Sequence, residues 1–155
     1  MHNTSATATS VKLVLPSDVK LVDLVHAATE KMAEFAGFDP DESLNVGLAL
    51  REAVINAIVH GNHQDPGLKV HVTLVAKKRE LTARVRDEGN GFDPDSEPDP
   101  TAEENLLNTS GRGLLLMRAF VDDVKFRRCR DRGMEITLTK KLNQTQTHET
   151  SNSGS

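Results

Sequence analysis

Residues 39–61 read DPDESLNVGLALREAVINAIVHG, and this stretch decides the fold. Asp39 is a capping carboxylate, Pro40 suits the first helical position, and Glu42 stands three residues after the cap, where it can reach back. The pattern predicts a helix from there to about Val59, ended by Gly61 and Asn62 in left-handed backbone. Leu44, Leu48, Ile55 and Ile58 supply an apolar stripe that is expected to be buried. A second stripe carries Asn45, Ala49, Glu52, Asn56 and His60, spaced by three or four residues and therefore sharing one face. Glu52 and Asn56 project side by side, which fits a solvated helix face as well as a site until their context is read.

On the N-terminal side, residues 11–15 (VKLVL) are β-rich, and Pro16-Ser17-Asp18 starts a helix with apolar positions Leu21, Leu24, Val25, Ala28, Met32 and Phe35. On the C-terminal side, residues 70–75 and 81–85 alternate apolar with polar around a charged turn at 77–80, the pattern of an antiparallel hairpin. Its second strand runs straight into Asp87. Residues 89–113 are rich in Gly, Pro, Asp, Glu and Asn and form a connection too long to be ordinary in so small a domain. After them, residues 114–120 read as a helix, and 121–126 and 134–139 as strands joined by the turn 130–133. The sum is an α+β domain, a two-layer sandwich of helices on a mixed, mostly antiparallel sheet. It occupies residues 11–142. Residues 1–10 and 143–155 are small, polar and aperiodic, and are expected to be flexible tails.

Composition narrows the function. Nineteen basic and 23 acidic side chains give a net charge of −4, which argues against nucleic acid as a direct partner. Five Phe with neither Trp nor Tyr offer little surface for stacking bases. The single Cys129 has no internal partner for a disulfide, no apolar run approaches the ~20 residues of a membrane span, and residues 1–10 lack the apolar core of a signal peptide. A cytoplasmic protein with no membrane contact is the expectation.

Two further segments supply the context that Glu52 and Asn56 need. Asp87-Glu88-Gly89-Asn90-Gly91 puts a carboxylate at a strand end, before two glycines where backbone can approach a ligand without a Cβ in the way. Gly111-Arg112-Gly113 opens the predicted helix at Leu114, where helix-start amides and an arginine fork can receive phosphate oxygens. Each segment alone fits a turn or a hinge. In this order and spacing the three resemble the N, G1 and G2 boxes of the GHKL ATPases. Residues 52–61 (EAVINAIVHG), 87–94 (DEGNGFDP) and 111–117 (GRGLLLM) are similar to those boxes as written in the anti-sigma serine-protein kinases. The resemblance covers residues 11–142.

That resemblance implies the Bergerat ATP-binding fold, with ATP and Mg2+ as cofactors. It makes Asn56 the metal ligand, a neutral oxygen suited to a hard octahedral ion already shared by phosphates and waters. It gives Asp87 the adenine amino group to accept from, Gly89 and Gly91 a purine lying against backbone, and Thr137 a water-mediated contact with the adenine. His60 lines the pocket. Gly111, Arg112, Gly113 and Leu114 close on the phosphates, with Arg112 stabilising charge as the γ-phosphoryl group transfers. Glu52 is the general base, taking its proton from an incoming serine hydroxyl or from water.

Residues 92–110 are short for a lid, and no dimerisation helix with a phosphoacceptor His precedes the domain, so the phosphoacceptor is expected on another protein. The resemblance implies a STAS-domain anti-anti-sigma partner phosphorylated on Ser or Thr, a sigma factor as the sequestered client, and a homodimeric kinase. A catalytically silent ATP-binding switch, a kinase with a non-sigma client and a purely structural binding module stay open. Of the remaining features, His60 and His63 form an HxxH without a third ligand beside it. His2, His26, His71 and His148 carry no motif. Lys125, Arg127, Arg128, Arg130 and Arg132 make a basic run that fits a solvated strand-turn face or a contact with an acidic partner.

Overall fold

Alternation along the strands decides which way the sheet faces. In the computed structural model, which describes residues 7–89 and 112–142, Val70, Val72, Leu74 and Ala76 are buried while His71, Thr73 and Val75 between them are half-buried. The same period of two runs through Leu81, Ala83 and Val85 and through Ile136 and Leu138. One sheet face is therefore apolar, and the helices cover it.

The elements run β1 (Thr9–Pro16), a 3-10 turn (Val19–Leu21), α1 (Val22–Ala36), α2 (Pro40–Asn56), a π turn (Ala57–Gly61), β2 (Lys69–Lys77), β3 (Glu80–Arg86), α3 (Gly113–Phe120), β4 (Asp123–Arg128) and β5 (Met134–Lys141). The strands form one sheet in the order β1-β2-β3-β5-β4. A mixed, mostly antiparallel sheet was expected, and every pairing among the described strands is antiparallel. β1 begins at Thr9, two residues inside the expected N-terminal tail. The expected tail at 143–155 lies outside the described residues. Val121 caps α3 and is not the first strand residue.

α1 packs over β2 and β3, α2 over β3 and β5, and α3 against α2 and β4. Leu50, Ile58, Leu74, Leu81, Leu114, Met117 and Leu138 are the largest fully buried side chains between the layers. The opposite face is polar and open. One row across all five strands reads Lys12, Thr73, Arg84, Thr137 and Lys125 in register. None of the described helices is long and apolar enough to cross a membrane.

Both long helices correct the expected stripes. α1 buries Val22, Val25, Thr29, Met32, Ala33 and Ala36, while Leu24 and Phe35 are 54% and 67% exposed. In α2 the capping box forms as read, with Glu42 N donating to Asp39 Oδ1 at 2.8 Å and Asp39 N to Glu42 Oε2 at 3.3 Å. Its buried face, however, is Ser43, Val46, Gly47, Ala49, Leu50, Ala53 and Val54, continuing into Ala57 and Ile58. Leu44 is 44% exposed, and Leu48 and Ile55 are only half-buried. The cause is close approach of helix to helix. A Cβ at Gly47 would sit 2.8 Å from the His26 ring, so small residues mark the packed side and the bulky aliphatics are pushed to the flank.

Candidate functional site

α2 does not end in left-handed backbone at Gly61 and Asn62. It widens into the π turn, with Asn62 N donating to Ala57 O at 2.8 Å, and the positive φ angles fall on His63 (51°) and Gln64 (57°). Single π turns of this kind recur at functional sites. Here the widened turn brings Gly61 against Asp87: a Cβ at Gly61 would lie 2.2 Å from Asp87 Oδ2. A Cβ at Gly89 would meet Gly61 O at 2.0 Å, and one at Gly133, where φ is 88°, would meet Asp87 O at 1.9 Å. Three glycines from three parts of the chain thus let backbone close around one carboxylate.

That carboxylate is 7% exposed. Its Oδ1 accepts from the amides of Gly89 (3.1 Å) and Met134 (3.2 Å), and Asp87 N donates to Met134 O at 3.1 Å. Both described hydrogen bonds to the side chain fall on Oδ1, which aims Oδ2 at the π turn. Burial pushes the Asp87 carboxyl above the ordinary carboxylate range, opposed by those two amides and by the charges of Arg86 and His63. A buried acid with a raised pKa at the mouth of a cradle is a marker of function.

The next residue is anchored separately. Glu88 N donates to Asn62 Oδ1 at 2.8 Å, Glu88 Oε1 accepts from Lys69 N at 2.7 Å, and Glu88 Oε2 pairs with His71 Nε2 at 2.7 Å. The hydrogen bond from His71, then that from Lys69, holds the Glu88 carboxyl below its ordinary range. His71 carried no motif in the sequence; its role is visible only once the sheet places it beside Glu88.

On α2, Glu52 and Asn56 are half-buried and make no hydrogen bond or ion pair with another described residue. Ala49, on the same expected stripe, is fully buried, and His60 is exposed within the π turn, finishing the helix. Asn56 precedes Gly61, the residue packed against Asp87, by five residues, about 7 Å along a helix axis. Asn56 suits a cation shared with phosphates because it offers an uncommitted neutral oxygen.

α3 packs on α2 with its start at Arg112, which is exposed and whose carbonyl accepts from Leu116 N at 2.9 Å. Gly113 is buried, and Leu114 is 1% exposed with its side chain in the core, leaving only its amide for a ligand. Gly91, Gly111 and the expected lid at 92–110 lie outside the described residues. Thr137 is not brought to the site. It pairs with Arg84 and Lys125 on the open face of the sheet, one pleat away from the side that carries Ile136. The residues at this edge that reach Asp87 are Gly133, just before β5, and Met134, its first residue. A glycine after a charged turn was the only sequence signal for them. No group of three metal-binding side chains gathers around His60 and His63 among the described residues.

Residues 15–140 match the family described as a histidine kinase-like ATPase domain, and the chain belongs to that family. Within it, the relatives are regulators of a narrower kind. The anti-sigma F factor of Clostridium acetobutylicum is 37% identical over 117 residues, 72% of this chain and 80% of its own length. That of Oceanobacillus iheyensis is 33% identical over 110 residues, covering 69% and 75%. The serine-protein kinase RsbW of Listeria monocytogenes is 26% identical over 149 residues, covering 92% and 94%. A crystal structure of the RsbU and RsbW domains of a Mycobacterium tuberculosis protein agrees in fold, with a TM-score of 0.60 at 18% identity over 86% of this chain. This chain spans 32% of that longer polypeptide.

Proposed function

We propose that this chain is an ATP- and Mg2+-dependent serine-protein kinase acting as an anti-sigma factor. It phosphorylates a STAS-domain anti-anti-sigma partner on Ser or Thr, and as a cytoplasmic homodimer it sequesters a sigma factor while that partner is phosphorylated. The observation that carries the reading is the Asp87 cradle: a buried carboxylate with one oxygen held by two amides and the other aimed at the open end of α2.

Each residue then has a physical task. Asp87 Oδ2 accepts a hydrogen bond from the exocyclic amino group of adenine, which selects the base. Asn56 would hold Mg2+ through its carboxamide oxygen; the bound ion shields the charge of the phosphates. Arg112 and the first amides of α3 receive phosphate oxygens at a helix start. Glu52 accepts the proton of the partner's serine hydroxyl as that oxygen forms its bond to the γ-phosphorus and the bond from phosphorus to the β–γ bridging oxygen breaks, releasing ADP. Gly91 and Gly111 stay assigned to the base and phosphate contacts.

The test is transfer. Purified protein is incubated with Mg2+ and γ-labelled ATP, with and without STAS-domain proteins, and the label is located. Label on a partner serine that disappears with Glu52→Ala supports the kinase reading. ATP binding with no transfer to any STAS protein would replace it with a nucleotide-gated binding protein.

A further inference from the structure

Asn62 is wholly buried, yet its side chain is polar, and no element of the proposed chemistry uses it. A buried carboxamide without partners destabilises a fold, so where its hydrogen bonds go is informative. Nδ2 donates to Ser17 Oγ at 2.9 Å and to Lys69 O at 3.0 Å, while Oδ1 accepts from Glu88 N at 2.8 Å. Ser17 Oγ in turn donates to Leu68 O at 2.6 Å. One side chain therefore ties the turn after β1, the start of β2 and the exit of β3 to the residue that follows the π turn.

The bond to Glu88 matters most. Asp87 sits between two amides that are both fixed: its own N–H on Met134 O, and the next one on Asn62 Oδ1. With Oδ1 of Asp87 held by Gly89 and Met134, the anchored Glu88 amide fixes the peptide plane that follows Asp87 and so restrains the backbone from which Oδ2 is aimed at the π turn. Asn62 itself follows Gly61, whose missing side chain is what admits Oδ2. The same short segment thus makes room for the acceptor and sets its direction.

We propose that Asn62 is a positioning residue for base recognition: through the Glu88 amide it orients Asp87 Oδ2, and so sets the preference for a purine with an exocyclic 6-amino donor over one that presents a 6-oxo acceptor. The inference rests on the reading of Asp87 as the adenine acceptor. A hydrogen bond to an ionised group discriminates only when the acceptor is held in place.

The experiment compares dissociation constants for ATP and ITP, which differ at position 6 of the purine. The parent protein is expected to prefer ATP by about tenfold or more. Asn62→Ser removes the Glu88 anchor and should pull that ratio towards one, chiefly by weakening ATP. Asn62→Gln keeps the amide but displaces it by a methylene, and decides the matter with the same expectation if the serine variant does not fold. Ser17→Ala breaks the bonds of Ser17 to Asn62 and Leu68 while leaving the Glu88 anchor. It should lower the melting temperature and keep the parental ratio. An unchanged ratio in a folded Asn62→Ser or Asn62→Gln protein overturns the role of Asn62 alone. A parent that binds ATP and ITP equally overturns the adenine reading of Asp87, and the positioning role with it.

Discussion

The two ends of α2 are built on different logic. At the N-terminus, Asp39 and Glu42 satisfy each other's backbone within four residues, and nothing distant is needed. At the C-terminus, the helix widens into a π turn that closes on its own backbone but also packs Gly61 against Asp87 and bonds Glu88 through Asn62, with Gly133 and Met134 behind Asp87. One end belongs to the helix alone; the other is shared with the sheet. The difference teaches where function is housed. An end that closes on its own backbone and also packs against distant residues is the kind of place where the proposed function puts a ligand.

Substitutions can break that contrast or sharpen it. The largest expected effect is Glu52→Ala, which should slow phosphoryl transfer by about 10²- to 10⁴-fold with nucleotide affinity retained, as read by single-turnover labelling. Parental transfer by this variant would remove Glu52 as the base. Asp87→Asn should weaken ATP by about ten- to a hundredfold, measured by titration calorimetry. The same variant should melt higher than the parent without nucleotide. The folded Asp87 pKa is raised, so its contribution favours the fold below the unfolded pKa and is lost as pH rises through the folded one. Its neutral replacement therefore gains its advantage from mildly acid to neutral pH, and a lower melting temperature at pH 7 would contradict the burial argument.

Smaller effects follow. Gly133→Ala forces a Cβ onto Asp87 O and keeps φ at 88°, and should destabilise by about 1–3 kcal/mol while weakening ATP in parallel. Asp39→Ala, at the self-contained end, should lower stability by about 1 kcal/mol in urea titration and leave ATP affinity unchanged. If it weakened ATP as much as Gly133→Ala does, the two ends would not be separable.

Local patterns were legible and distant closures were not. The capping box of α2 and the hairpin of β2 and β3 rest on spacings within a few residues, and the family itself on a motif order. The buried faces of α1 and α2 were misplaced because periodicity alone does not say which of several apolar stripes meets a neighbour, and Gly47 against His26 made the smaller residues the packed ones. Thr137 was assigned to the pocket because it lies on the last strand, but a period of two puts it on the open face. Gly133, Met134, Asn62 and His71 were missed for one reason. Their roles depend on which strand end lies beside which turn, and that is fixed by the sheet order and not by any local sequence.

The cradle also orders events in time. Asp87 is made early, but the amide that fixes its Oδ1 belongs to Met134, 47 residues later, on the last strand of the sheet. During synthesis the chain therefore carries Asp87 and α2 for a long interval before the Met134 amide can reach the acid. Only when the hairpin of β4 and β5 leaves the ribosome and docks is the acid locked, so a product terminated before Met134 would lack the second amide on Oδ1 that the proposed base recognition relies on.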